Sequence, residues 1–173
     1  HKQNKVASIL KTRYKEEVVE GIKNVAPNLK IITQDCWPTY KNAAKEINPN
    51  VSVVLDLFHL VRYVAWDFNK ARRYIAEQTG QKNVKYWKLL TKRFSKLSEK
   101  GKLKVEKLLE NERELKLLYK AKEIAYSAFK QQNTKDFLSK IFRFYSFIEK
   151  HNFTKHFDRL LSVLNNWKKE VLN

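Results

Sequence analysis

Val51-Ser52-Val53-Val54-Leu55-Asp56-Leu57-Phe58-His59 runs from a short apolar stretch into a carboxylate and then into the start of a helical pattern. An almost continuous apolar run of this length, bounded by turn signals, reads as a strand covered on both faces. Upstream, Leu29-Lys30-Ile31-Ile32-Thr33-Gln34 is a similar run that ends on Asp35. Between the two, Pro38 followed by Tyr40, Ala43, Ala44 and Ile47 reads as a short helix, and Asn48-Pro49-Asn50 as the turn into the second strand. Strand, helix, strand in that order predicts a right-handed parallel crossover. Parallel neighbours would bring Asp35 and Asp56 out at one sheet edge, where α/β folds place their chemistry.

Upstream of this unit, Val6, Ile9, Leu10, Val18, Val19 and Ile22 recur at helical spacing, and Gly21 to Pro27 marks an exit, so an amphipathic helix is expected to open the chain. Downstream everything from Phe58 reads as helix. In 57–79 the apolar stripe is Phe58, Val61, Val64, Ala65, Phe68, Ala71 and Ile75, opposite His59, Arg62, Tyr63, Trp66, Lys70, Arg73 and Tyr74. A helix over 83–98 would bury Tyr86, Trp87, Leu90, Phe94 and Leu97. Further helices are expected over 102–110, 112–130, 135–150 (capped by Asn133-Thr134) and 154–172. The class is α+β, mostly α. Two strands are too few for so apolar a second strand, so either helices cover the sheet or other strands precede residue 1 in a longer protein.

The 173 residues carry a net charge of +18, unevenly placed. Residues 1–56 hold 9 Lys and Arg against 6 Asp and Glu, whereas 62–107 hold 14 against 4. A segment that basic attracts a polyanion, because each neutralised phosphate releases condensed counterions; the alternative is a merely solubilising lysine surface. The lone Cys36 excludes an internal disulfide and argues against a cysteine zinc site. No apolar run approaches the ~20 residues of a membrane span, and no signal segment opens the chain, so a cytoplasmic protein without a membrane partner is expected.

Asp35 and Asp56 are candidate Mg²⁺ ligands, since hard cations take carboxylates together with substrate phosphates. An acid at a strand end also often caps the helix that follows, as Asp56 would cap the helix over 57–79. His59, on the first helical turn after Asp56, falls on the basic-aromatic face, where a polar link to Asp56 or a phosphate suits it. His151 and His156 are five apart and read as surface residues rather than metal ligands. Arg62, Tyr63, Trp66, Lys70 and Arg73 interleave cations for phosphates with aromatics for unpaired bases. An interhelical packing face would give the same pattern.

Thr33-Gln34-Asp35-Cys36-Trp37-Pro38-Thr39-Tyr40, Asn48-Pro49-Asn50, Asp56-Leu57-Phe58-His59-Leu60-Val61-Arg62 and Asn69-Lys70-Ala71-Arg72-Arg73 resemble the ISL-three family of insertion-sequence DDE transposases. Trp87-Lys88-Leu89-Leu90 and Glu110-Asn111-Glu112-Arg113-Glu114-Leu115 continue the likeness in order. The resemblance implies a partial RNase H-like core over 1–60, βαβ with a flanking helix, followed by an all-helical insertion over 61–173. It implies Mg²⁺-dependent cleavage and strand transfer at transposon ends, with water and then a 3′-hydroxyl as nucleophiles. Asp35 would be the family's second catalytic acid and hold metal, with Asp56 and His59 as an accompanying Asp-x-x-His signature; whether Asp56 also ligates metal stays open.

The resemblance further implies a DNA-binding face of Arg62, Trp66, Lys70, Arg72, Arg73, Lys85, Lys88, Lys92 and Arg93, and a homo-oligomer in the full-length protein. The family's first Asp is expected upstream of residue 1, and its Glu, in a Gly-x-x-Glu-Gly-x-Asn context, beyond residue 173. Leu57 stands where relatives often have Arg. The expectation is therefore an internal fragment, inactive alone. The rival readings are a non-catalytic helical nucleic-acid-binding module and a helical protein-interaction domain.

Overall fold

Strands β1 (Ile31–Gln34) and β2 (Ser52–Leu55) pair in parallel, from Ile31 opposite Ser52 to Gln34 opposite Leu55. The computed structural model describes residues 6–80 and 86–172, and among these the two strands form the one sheet. The ladder extends past both ends, with the Ser52 amide donating to Lys30 O at 2.9 Å and the Asp56 amide to Gln34 O at 2.7 Å. Helix α2 (Pro38–Ile47) makes the crossover. Pro38 suits its first position, where no amide partner is needed. The Asn48 side chain then closes the turn, donating to Leu29 O at 2.8 Å and accepting from the Asn50 amide at 3.0 Å.

Contacts divide the chain into two compact units, His1–Asp56 with Asn166–Asn173, and Leu57–Asn165. In the first, Ala44, Val51 and Val53 pack with Leu29 and Ile32. On the other side of α2, Ala43 packs with Val18 and Val19 of α1 (Lys15–Val25) and with Leu10, Ile22, Tyr40 and Ile47. The C-terminal residues return to this unit, although they read from sequence as part of the helical region. Helix α9 (Lys168–Leu172) packs on β2, Glu170 meets Lys41 at 2.6 Å, and the same ammonium lies 5.2 Å from the Trp167 ring centroid.

The opening helix is shorter than its periodicity implies. It begins at Lys15, and Val6 and Ile9 are 78% and 87% exposed. The Glu17 carboxylate accepts the amides of Lys11 and Thr12 and the Thr12 hydroxyl, which draws residues 11–12 into a turn ahead of the helix. Main-chain donors taken by a side chain are lost to the helix ladder.

The second unit is helical. Helix α3 (Leu57–Thr79) packs on α6 (Arg113–Ala128), and α6 packs on α5 (Glu99–Glu110) and on α7 (Thr134–Lys150). The α3 core stripe is Leu60, Val64, Phe68, Ala71 and Ile75; Phe58, expected in it, is 64% exposed. Phe68 meets Tyr119 at 6.1 Å between centroids, and Phe144 meets Phe157 edge-on at 5.2 Å. Each such fully buried aromatic stabilises the unit by roughly 2–3 kcal/mol. Asn133 caps α7 by accepting the Asp136 amide at 2.8 Å. The helix ends where Asn152 adopts φ 57° and the Phe153 amide reaches back to Ile148 O at 2.7 Å. The region expected as one helix over 154–172 consists instead of a 3-10 turn (Thr154–Phe157), α8 (Asp158–Asn166) and, in the first unit, α9.

Asp67 lies on the buried face of α3, 3% exposed, and its Oδ2 accepts the Leu160 amide at 2.9 Å, capping α8 from another helix. Burial pushes its carboxyl up to about 6, against the hydrogen bond from Leu160. Between the ordinary value of 3.8 and about 6 the folded chain holds a proton that the unfolded chain has released. Stability from this group is therefore present at low pH and lost as pH rises through that window. Asp67→Asn keeps an acceptor without the charge, so it is expected to stabilise the protein at pH 7 by on the order of 1 kcal/mol, after allowance for solvent screening. Thermal melts across pH should show a flatter profile over this window for the variant.

Candidate catalytic edge and nucleic-acid face

Asp35 follows Gln34 and Asp56 follows Leu55, two residues paired in register on parallel strands, so both acids leave the sheet at the same end. Asp35 Oδ1 is buried and has no hydrogen-bond partner, and neither have Oε1 and Nε2 of the adjacent Gln34. An unsatisfied buried polar group costs about 1–3 kcal/mol and calls for an explanation such as a bound ion. Cys36, next to it, is a half-buried thiol outside any disulfide, and Trp37 is 46% exposed. Asp56 is half-buried. Among the described residues no cluster of three or more His, Cys, Asp and Glu side chains is placed to hold a metal ion. An isolated carboxylate oxygen with nothing to accept suits a hard cation as one ligand of several.

His59, in the second unit, is half-buried on the first turn of α3, with its ring edge-on to Phe58 at 5.7 Å. Along the same helix Arg62, Trp66, Lys70 and Arg73 are exposed. Trp66 is 41% exposed, with the Arg62 guanidinium 4.3 Å from its ring centroid and Tyr63 edge-on at 5.7 Å. Arg72 departs from this face. It is 2% exposed and donates to Asn69 Oδ1 through Nη2 at 2.9 Å and Nε at 3.3 Å, so its guanidinium is turned inward, away from any phosphate. Lys88 and Lys92 are exposed, whereas Arg93 is half-buried over the Tyr126 ring at 5.0 Å. Lys85 lies outside the described residues.

Two contributors escaped the sequence reading. Arg159, at the start of α8, lies 5.1 Å from the Trp66 centroid and 5.8 Å from that of Tyr63. His156 is half-buried rather than a surface residue, with its ring 5.4 Å from Tyr74. Burial holds its imidazole below the ordinary range. The seam of α3 against residues 154–159 is thus lined from both sides by cations and rings. The available signal was Lys155, His156 and Arg159 flanking the core residue Phe157; it lies far from α3 in sequence.

Of the helix expected over 83–98, residues 83–85 lie outside the described residues, and the rest holds α4 (Trp87–Thr91) and a 3-10 turn (Phe94–Lys96), with Trp87 42% exposed. Lys122 of α6 is fully buried and donates to Leu90 O at 2.6 Å and Lys92 O at 2.7 Å. Tyr126 donates to Thr91 O at 3.0 Å, and Glu123 accepts the Phe94 amide at 3.0 Å. Groups that would have joined a helix ladder are taken by α6.

The family model of the ISL-three DDE transposases, described as Transposase, matches residues 1–173. The chain belongs to this transposase family. No curated protein and no solved structure matches it. As a member of a transposase family, the chain has a function related to DNA transposition, in a family that generally uses divalent metal and binds DNA. Among its described residues no helix is long and apolar enough to cross a membrane.

Proposed function

We propose that this transposase chain is part of a DDE enzyme that cleaves and transfers DNA strands at transposon ends. In this reading the first unit belongs to an RNase H-like core, and the second is the helical insertion that grips DNA. The observation that carries the proposal is the pair of strand-end acids at one edge of a parallel sheet, with Asp35 Oδ1 buried and unpartnered. Asp35 would hold Mg²⁺ through that oxygen, as one ligand of several. A bound divalent cation supplies Lewis-acid stabilisation of the charge that develops on phosphodiester oxygens. Asp56 supports the site from the same sheet edge, and His59 follows it by three residues in the sequence. Sheltering the edge from bulk water strengthens every charge interaction made there.

The second unit contributes binding. Arg62, Lys70, Arg73 and Arg159 meet backbone phosphates, Lys88 and Lys92 extend the positive field, and Trp66 supplies a ring already braced by two guanidiniums. Phosphate contacts position a duplex without reading its sequence. Binding of the full chain to a duplex, followed by fluorescence anisotropy over a salt series, is expected to weaken steeply with salt. The double variant Lys70→Ala with Arg73→Ala should lower the log–log slope by roughly 2, about 0.9 per lost phosphate contact. A wild-type affinity indifferent to salt would overturn the electrostatic face.

A further inference from the structure

A cleft of about 380 Å³ lies at one end of that seam, lined by Lys70, Arg73, Tyr74, Glu77 and His156. Its chemistry is mixed in a specific way. Lys70 and Arg73 are exposed cations, and the nearest carboxylate to Lys70 is Asp158, at a loose 3.5 Å. Tyr74 is 51% exposed and tilted 47° to the His156 ring, so its face is not stacked against that neighbour. His156 is backed by Phe153 at 6.0 Å. Glu77 adds a carboxylate, which only accepts hydrogen bonds. A bare phosphate fits this set poorly, because Glu77 repels it. A bare hydrophobic group leaves the cations idle.

A nucleotide uses all of it: phosphate on Lys70 and Arg73, a planar base against Tyr74 and His156, and an amino or ring N–H of the base donated to Glu77. The volume is within the range of small-molecule sites. A base inside a duplex offers its edges but not its face, so the occupant must be unpaired. We propose that the cleft of Lys70, Arg73, Tyr74, Glu77 and His156 holds one unpaired nucleotide of a DNA strand. The inference rests on the DNA-binding reading of the α3 face and deepens it. It makes this face a reader of the junction between duplex and single strand.

The test uses the full chain, a blunt duplex and the same duplex carrying a single-stranded DNA extension, compared by fluorescence anisotropy. The wild type is expected to prefer the extended duplex by about tenfold, the scale of one base stacked on an aromatic ring. Tyr74→Leu should erase that preference and leave blunt-duplex affinity within about twofold; Tyr74→Phe should keep it. Equal wild-type affinity for the two DNAs, or a preference that survives Tyr74→Leu, would overturn the inference and leave the DNA face standing. Failure to bind either DNA would remove both readings together. Preference for an RNA extension over a DNA one would overturn the assignment to DNA.

Discussion

Asp35→Ala is expected to abolish strand cleavage by the transposase that carries these residues, while leaving the chain at least as stable as the wild type. The loss should be on the order of a thousandfold, the scale on which removal of one preorganised electrostatic partner of a developing charge is felt. Stability should move the other way. Asp35 Oδ1 is buried with nothing to accept, so its removal relieves a desolvation cost of about 1–3 kcal/mol and breaks no hydrogen bond at that oxygen. A site residue that is costly to the fold and necessary to the reaction carries the signature of stability given up for function. Cleavage assays paired with denaturant melts read both halves. Loss of activity together with loss of folding would assign Asp35 a structural role.

The second large effect belongs to Lys122. Lys122→Met keeps most of the volume but leaves Leu90 O and Lys92 O without their donor and removes the partner of Glu123 at 2.9 Å. Leaving those carbonyls without a donor costs about 1–3 kcal/mol each, which should appear as a much lower denaturation midpoint and a loosened 90–94 segment. The pH dependence is distinctive. Burial pulls the Lys122 ammonium down to about 8, against Glu123. Between about 8 and its ordinary 10.5 the unfolded chain binds a proton that the folded chain lacks, so stability rises with pH across that window.

Above 10 the direction reverses, because burial raises Tyr119 and pushes Tyr126 up to about 12, and the folded chain then retains phenolic protons. The joint contribution of these three groups to stability is therefore expected to peak near pH 10 in the wild type. Lys122→Met should lose the rising limb and keep the falling one.

Local pattern made the crossover legible. Asn48-Pro49-Asn50, the apolar runs and Pro38 each act within a few residues, and β1, α2, β2 and α3 form where those signals stand. Where reading failed, a distant side chain had intervened. Lys122, Glu123 and Tyr126 take main-chain groups of residues 90–94, so the 3.6-residue period read there does not continue as one helix through the described residues 86–98. Glu17 does the same to residues 11–12. Arg72 shows the limit of face assignment: it follows the exposed cations in sequence, yet its helical angle turns it to the buried side, where Asn69 satisfies it. Arg159 and His156 were invisible because their membership of the seam is created by tertiary packing alone. The same holds for the orphaned oxygen of Asp35: a sequence places the acid at a strand end but does not say whether anything there satisfies it.

This sheet edge is proposed to hold a divalent cation through Asp35. Addition of Mn²⁺ to the 173-residue chain, read as paramagnetic broadening of backbone amide signals, tests it most directly. Residues 34–36 and 55–57 are expected to broaden first, and Asp35→Ala to abolish the effect there. Broadening that is absent from this edge, or that persists unchanged in Asp35→Ala, would contradict it.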